Sequence, residues 1–409
     1  MVGIWMQNMA QQVLVYRLTG SAAALGMVNF LALIPLIPLS LVAGSLTDRY
    51  SKRNIILWSQ LLMMAQAFIM AVLVWSGTIQ VWHVYAMALI LGMINAVDVP
   101  ARQAFTVDMV EGREDLTNAI GLNSAMFNGA RAIGPAAAGL IVAAVGEGWA
   151  FFLNGFTFSA VILSLIFMRN LPARQPIKQM NLSKHMLEGL YFIRGNRAIF
   201  YLVTLIAVSA FLSMPYSTLM PVFAGEVLGQ SAQPVVETVC RYFTCQAPEA
   251  LPLGVLLTTV GIGALVGALV VASLPANAPY GKLMTFGNLA FPLLLMIFSG
   301  SRSFLLSLVV MFFTGISFVW QNALANTLLQ IVSPDELRGR IMSVYTMVFQ
   351  SMMRLGGLQA GLVADAVSAP FSVFIGAVFS LLYGGFVALR VPELRKGAAE
   401  ASPVVADHQ

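Results

Sequence analysis

GSLTDRYSKRN, residues 44–54, is a short charged stretch between two long apolar runs at about 23–43 and 55–75. Its four charges fall within six consecutive positions and comprise Asp48, Arg49, Lys52 and Arg53. A helix that crosses a bilayer needs about 20 mostly apolar residues, and each flanking run reaches that length. The stretch therefore predicts a tight, charged turn between two membrane-spanning helices.

Charge is scarce throughout the 409-residue chain, of which 10% is charged and 59% is hydrophobic. A soluble domain usually carries about 25% charged residues, so this composition cannot cover a water-exposed surface of that size. Backbone groups in hydrocarbon must be satisfied internally, which favours helices, and the alternating pattern of a membrane β-barrel is absent from the sequence. We expect an all-α membrane protein.

The composition also bounds the partners. The net charge of +5 lies in short loops rather than along one face, so we expect no nucleic-acid partner. With 3 His and 2 Cys, no metal or cofactor ligand set can be assembled from spacing, and we expect none. The sequence contains no recognisable arrangement of a catalytic nucleophile and base, so we expect that the protein is not an enzyme.

Twelve apolar segments follow one another along the chain. They lie near 1–16, 23–46, 54–75, 81–105, 117–145, 149–168, 198–224, 252–274, 281–299, 303–331, 340–364 and 370–390. The pattern predicts a polytopic protein of twelve transmembrane helices. The first segment is short, which predicts a shortened first helix.

Lysine and arginine set the orientation, because cytoplasmic loops are enriched in them. If the N-terminus is cytoplasmic, most cations fall in inside loops, whereas the outside holds only Arg17, Arg241 and Arg302. We therefore place both termini in the cytoplasm, with an even number of spans.

The longest stretch between apolar segments follows the sixth and divides the chain into two halves. We predict a six-helix bundle at 1–168, a cytoplasmic linker at 169–197, a second six-helix bundle at 198–391 and a disordered cytoplasmic tail at 392–409. Within the linker, residues 181–195 place Leu182, Met186, Leu190 and Ile193 on one side of a helix. This predicts an amphipathic helix on the membrane surface.

Two arginines lie in the middle third of apolar segments, at equivalent positions of the two halves: Arg131 and Arg354. A buried arginine is costly and usually marks a pathway or a pairing site. We predict that both line a substrate cavity between the two halves, because transporters are commonly built from repeated halves with the substrate site between them. The alternative is that each is neutralised by a carboxylate or a helix end and serves packing alone.

Amide side chains extend the predicted cavity. Four crowd the first segment, where amides facing lipid would be unfavourable: Gln7, Asn8, Gln11 and Gln12. We add three polar residues of later segments, namely Asn128, Gln321 and Gln350. The alternative for the first segment is structural hydrogen bonding between helices.

Small residues follow Arg131 in the fifth segment. Gly134, Pro135 and Gly139 predict a hinge or a close helix contact rather than a ligand site. Proline cannot donate to the carbonyl four residues back, which here belongs to Arg131, so the helix can bend.

Two further pairs complete the set. Asp98 and Arg102 are four residues apart and can pair along one helix side, although snorkelling to the interface is an alternative. Cys240 and Cys245, in CRYFTC at 240–245, can form a disulfide if that face is oxidising, and otherwise remain two thiols.

Two of these stretches, the charged turn and the small-residue stretch of the fifth segment, resemble motifs of a known family. GSLTDRYSKR resembles the signature G-x-L-x-D-R-x-G-R-R of the major facilitator superfamily, with Ser51 where glycine is usual. ARAIGPAAAG, residues 130–139, resembles the antiporter signature G-x-x-x-G-P-x-x-G-G of its exporters. WMQNMAQQVLVYRLTGSAAALG, DVPARQAF and PDELRGRIMSVY look most like the enterobactin-exporter-like group, also called transmembrane secretion effectors.

The resemblance implies a cytoplasmic gate around the charged turn. Its members would be Gly44, Asp48, Arg49, Arg53, Asp98, Arg102 and Asp108. Asp48 would face the start of the eleventh span, and Arg53 would meet the acid at the end of the fourth, which is Asp108 here.

The resemblance also implies a function. We expect a monomeric secondary transporter in the bacterial inner membrane, which exports a small siderophore- or drug-like molecule by alternating access, with protons as the coupling ion. The partners would be the substrate, the bilayer and protons. An importer or lipid flippase on the same scaffold stays open, as does a receptor or assembly factor without transport.

Overall fold

The structure is a computed structural model that describes residues 1–36, 38–39, 50–109, 113–168, 182–242, 244–275 and 278–395. Every regular element in these ranges is a helix. The helices of the first half are α1 (Val2–Thr19), α2 (Ala22–Leu33), α3 (Lys52–Trp75), α4 (Val81–Asp108), α5 (Arg113–Val145) and α6 (Glu147–Phe167).

The second half begins with a surface helix and ends with a short turn of 3₁₀ helix. Its elements are α7 (Leu182–Gly195), α8 (Arg197–Leu212), α9 (Tyr216–Val222), a π-helical turn (Phe223–Val227), α10 (Gly229–Cys240), α11 (Ala250–Ala272), α12 (Tyr280–Gly300), α13 (Phe304–Val332), α14 (Asp335–Ala366), α15 (Ala369–Arg390) and the 3₁₀ turn (Pro392–Arg395).

The predicted all-α polytopic membrane fold is confirmed. Each predicted apolar segment overlaps a helix, and nine helices within the described ranges are long and apolar enough to cross a bilayer. α1 and α14 are also long, but their polar residues lower their hydropathy. Polar side chains in helices of this kind belong inside the protein rather than against lipid.

The first helix is longer than predicted. α1 runs over 18 residues, which corresponds to about 27 Å at ~1.5 Å per residue. It ends at Gly20, whose φ of 60° is left-handed and whose N–H donates to the carbonyl of Tyr16. The hydrocarbon core is about 30 Å thick, so α1 nearly spans it.

The chain divides into two compact units. The first comprises Met1–Leu182 and Ala232–Thr258, and the second comprises Ser183–Ser231 and Thr259–Gln409. The linker helix α7 therefore packs with the second half, and the segment around Cys240 and Cys245 packs with the first. The boundaries predicted at 168/169 and 197/198 remain a prediction for the functional bundles.

The predicted disordered tail begins too early. Residues 392–395 form a 3₁₀ turn, and Leu394 is buried in an apolar cluster of the second unit that includes Leu205 and Met284. Burial of that leucine favours the ordered turn, since fully burying such a side chain contributes about 1.5–3 kcal/mol. Residues 396–409 lie outside the described residues.

Candidate functional site

The central part of the charged turn is not described. Gly44, Asp48 and Arg49 lie in 40–49, outside the described residues, so their gate roles stay predictions. The described part of the chain continues from Tyr50, and α3 begins at Lys52.

Arg53 joins the beginning of α3 to the end of α6. Its Nε donates to the carbonyl of Leu165 at 2.7 Å, and its Nη2 donates to that of Ile166 at 2.9 Å. Carbonyls in the last turn of a helix lack intrahelical donors, and the partial negative charge of the helix dipole at that end attracts a cation. The side chain of Asp108, the partner that the resemblance implied, lies outside the described residues.

Asp98 and Arg102 form the pair that their spacing predicted. Nη2 of Arg102 lies 3.1 Å from Oδ2 of Asp98, and Gln60 donates to Oδ1 from α3 at 3.3 Å. Asp98 is 4% exposed, so its charge is compensated by these partners rather than by water. The hydrogen bond from Gln60 to Asp98 links α3 to α4.

Gln7 belongs to a contact between helices and not to an open cavity. Its Nε2 donates to Oε1 of Gln66 on α3 at 3.0 Å, and its Oε1 accepts from Nδ2 of Asn154 on α6 at 2.6 Å. All three amides are buried. Both polar atoms of Gln7 are thus satisfied by protein, and the cavity prediction for this residue is corrected to the structural alternative.

The other amides of α1 have different surroundings. Asn8 is exposed, while Gln11 and Gln12 are half-buried. Oε1 of Gln12 is buried without a hydrogen-bond partner among the described residues. A buried polar atom without a protein partner requires water or a ligand. For these three residues the place beside the substrate stays a prediction.

Replacement of Gln7 is expected to lower stability more than replacement of its neighbour. Gln7→Leu removes both interhelical bonds and leaves Oε1 of Gln66 and Nδ2 of Asn154 without the partner that Gln7 supplies, whereas Asn8→Ala alters an exposed side chain. A hydrogen bond between membrane helices is worth about 0.6 kcal/mol on average and up to ~1.7, so we expect a loss of about 1–2 kcal/mol for Gln7→Leu. Thermal unfolding in detergent measures both; equal shifts would place the two amides in the same environment.

Arg131 faces an aromatic cluster on α1 and α5. Its guanidinium carbon lies 5.8 Å from the ring centroid of Trp5, and the Trp5 ring meets Phe127 edge-on at 5.6 Å. Arg131 and Asn128 are half-buried, and Phe127 is largely exposed. The arginine therefore lies over Trp5, whose ring in turn packs on Phe127, and neither aromatic was predicted from the sequence. The four-residue spacing of Phe127 and Arg131 places those two on one side of α5.

The equivalent arginine of the second unit has a different environment. Arg354 and Gln350 are half-buried on α14, and Arg354 has no ion-pair or hydrogen-bond partner among the described residues. Gln321 on α13 is completely buried, and neither of its amide atoms has a protein partner in the described part of the chain. Gln321 is thus enclosed among the helices, and its place in the substrate cavity stays a prediction.

The glycines of α5 mark close helix contacts. A Cβ added at Gly134 would lie 2.5 Å from Cβ of Trp5, and one at Gly139 would lie 3.0 Å from Cα of Gly254 on α11. Pro135 lies within an uninterrupted α5. The residues form the contact surface that was one of the two predictions; the hinge remains a prediction.

One end of the first unit is tied by a second set of contacts. Arg17 Nε lies 3.0 Å from Oε1 of the buried Glu147. Cys240 and Cys245 are joined by a disulfide, with Cα atoms 5.6 Å apart. The next residue, Gln246, donates its N–H to the carbonyl of Ala143 at 2.7 Å. The disulfide thus precedes the point where this segment docks on α5.

The fold and these side chains define a class of protein. Long apolar helices in repeated halves, with arginines and amides enclosed among them, are typical of membrane transporters. The chain belongs to the transmembrane secretion effector family of the major facilitator superfamily, whose family model matches residues 1–407. The predicted family is confirmed.

Known proteins similar to this chain agree with that class. The staphyloferrin A transporter of Staphylococcus aureus is 25% identical, with 89% of this chain and 86% of that protein covered. The multidrug efflux pump Tap of Mycobacterium tuberculosis is 24% identical, with 94% and 88% covered. The fold is similar to the inward-open xylose transporter XylE of E. coli, at 13% identity and a TM-score of 0.68, with 98% and 96% covered. The chain is a multi-pass transporter of the bacterial cell membrane.

Proposed function

We propose that the chain exports a small organic molecule of siderophore or drug type across the bacterial inner membrane by alternating access, with both termini in the cytoplasm. The names of its relatives support this, since one is a staphyloferrin A transporter and another a multidrug efflux pump. The span-five signature of exporters in α5 points the same way. The proposal includes no cofactor and no chemical conversion of the substrate.

The observation that carries the proposal is Arg131 beside Trp5. A guanidinium over an indole ring gains about 0.5–1 kcal/mol at exposed sites and ~2 when desolvated. The half-buried arginine brings a positive charge that suits an anionic group, and the exposed Phe127 offers a surface for aromatic or aliphatic parts. A molecule that carries both kinds of group matches this site.

Substitutions at this site separate charge from fold. We expect Arg131→Gln to reduce transport roughly 5- to 30-fold, since it removes an interaction worth about 1–2 kcal/mol. Arg131→Lys should retain part of the activity because it keeps the charge, and Trp5→Phe should retain more than Trp5→Ala. Efflux from a deletion host, tested with staphyloferrin A and a drug panel, measures each variant.

Stable insertion of each variant is the control for that experiment. Wild-type efflux by well-inserted Arg131→Gln would remove the arginine from the substrate path. Uptake in place of efflux would favour an importer, flux of fluorescent phospholipid would favour a flippase, and no flux would favour a receptor or assembly factor.

Proton coupling is part of the proposal and has its own test. The buried carboxylates of the described residues are Asp98 and Glu147, and each faces an arginine. A proton carrier must exchange such a partner during the cycle. We expect a protonophore to abolish accumulation against a gradient; accumulation that is indifferent to it would exclude proton coupling.

A further inference from the structure

The linker helix α7 exposes an apolar face. Leu187, Leu190 and Tyr191 are 66%, 53% and 83% exposed. Spacings of three and four residues place them on one side of the helix, and the exposed Arg194 continues that side. Three large apolar side chains and a cation thus share a surface that no described residue covers.

The opposite face of α7 is attached to the protein. Ile193 is 3% exposed within the apolar cluster of the second unit. A Cβ at Gly189 would lie 3.0 Å from the carbonyl oxygen of Arg340, so the helix backbone abuts α14 there. Glu188 also pairs with Arg340. α7 is therefore held with its apolar face outward.

The connection to the next helix sets the depth of this face. Only Asn196 separates α7 from the membrane-crossing helix that starts at Arg197. The chain from Gly195 to Arg197 extends at most about 7 Å, so the end of α7 lies close to the level where that helix enters the bilayer. Arg197 itself donates to the last carbonyl of α15, at Arg390. The end of α7 is therefore close to the ends of two membrane-crossing helices, α8 and α15.

We propose that the exposed face of α7 docks into the membrane interface and binds anionic phospholipid. Leucine side chains enter the acyl boundary, tyrosine is favoured at the level of the headgroups, and a cation near an anionic surface gains about 1 kcal/mol. The charge of Arg194 selects an anionic headgroup. Through Glu188 and Gly189, the docked helix holds the first turns of α14.

Site-directed labelling measures the docking without any transport. The two native cysteines are joined to each other, so Tyr191→Cys provides a single reactive thiol for a nitroxide. The matched control is Glu336→Cys, an exposed position in the first turn of α14. In vesicles of phosphatidylcholine and phosphatidylglycerol, the label at 191 should be reached by oxygen and shielded from a water-soluble nickel complex, and the label at 336 should show the reverse. Equal access of the nickel complex to both positions would overturn the proposal.

A second arm tests the choice of lipid. In the Tyr191→Cys background, Arg194→Gln should reduce the ratio of inserted to water-exposed label about fivefold in vesicles with phosphatidylglycerol, from about 1 kcal/mol per cation. Arg194→Lys should keep the ratio, and pure phosphatidylcholine should abolish the difference between the variants. The same ratio with and without phosphatidylglycerol would exclude an anionic lipid as the ligand, and shielding that depends on protein concentration would assign the face to a second copy.

The link to α14 rests on the proposed function and is tested by flux. Wild-type flux should rise with phosphatidylglycerol, and Glu188→Gln should weaken this dependence while leaving the label inserted. Insertion without any flux would contradict the proposed function alone. Flux without insertion would contradict the lipid site alone.

Discussion

Arg102→Gln is expected to be among the most destabilising single substitutions in the chain. It leaves the carboxylate of Asp98, which is 4% exposed, with Gln60 as its remaining side-chain donor among the described residues. Removal of one partner from a buried ion pair typically costs about 3–5 kcal/mol, because the other charge stays buried and uncompensated. We expect a large fall in the thermal midpoint in detergent and little transport.

The two partners of this pair are not equivalent. Asp98→Asn leaves Arg102, whose side chain is 43% exposed and can reach water, so its effect on stability should be much smaller. The double variant Asp98→Asn with Arg102→Gln should recover most of the stability lost in Arg102→Gln. Equal losses in both single variants, without recovery in the double variant, would show that the pair contributes by packing instead of charge.

Gly134→Ala is expected to have the second large effect. The added methyl would lie 2.5 Å from Cβ of Trp5 and 3.0 Å from the carbonyl oxygen of Val2, both on or beside α1. Neither group belongs to the free end of a flexible side chain, so α1 and α5 must separate. Overpacking of this kind costs about 1–3 kcal/mol, and it also moves Trp5 away from Arg131. We expect lower stability and a loss of transport.

The same helix supplies a matched control. Gly129 has open space where a Cβ would lie, so Gly129→Ala should be tolerated and can gain about 0.5–1 kcal/mol from helix propensity. Thermal unfolding and efflux of the two variants, measured side by side, compare the same chemical change at positions five residues apart. Wild-type behaviour of Gly134→Ala would mean that α1 and α5 are not in close contact in the working protein.

Periodicity and spacing predicted the helices and some of the pairs. Asp98 and Arg102 lie four apart on one helix, and local geometry alone brings such residues together. Apolar length predicted the spans because lipid imposes it. The position of Arg131 within a span predicted a functional or pairing role, because a charged side chain inside the membrane is energetically unfavourable. In each case the determining contact is local or is set by the bilayer.

Contacts between distant helices could not be predicted in the same way. Gln7 resembled a cavity residue, yet its partners are 59 and 147 positions away along the chain. Arg53 bonds to backbone carbonyls, which leave no trace in residue identity.

The linker helix shows a second limit. Ile193 and Leu190 share one apolar stripe by spacing, but the protein buries Ile193 and leaves Leu190 exposed. An apolar stripe wider than one contact can be divided between the protein core and the membrane. The contact of α14 with Gly189 determines which apolar residues of α7 face the protein core and which are exposed.

The most direct test of the central proposal, export through the site at Arg131, is directional flux in membrane vesicles. Everted vesicles that contain the wild-type chain should accumulate staphyloferrin A or one of the drugs from the panel when energised, and vesicles with Arg131→Gln should accumulate it roughly 5- to 30-fold more slowly. Right-side-out vesicles should show no accumulation. Accumulation in right-side-out vesicles, or equal accumulation by wild type and Arg131→Gln, would contradict export through this site.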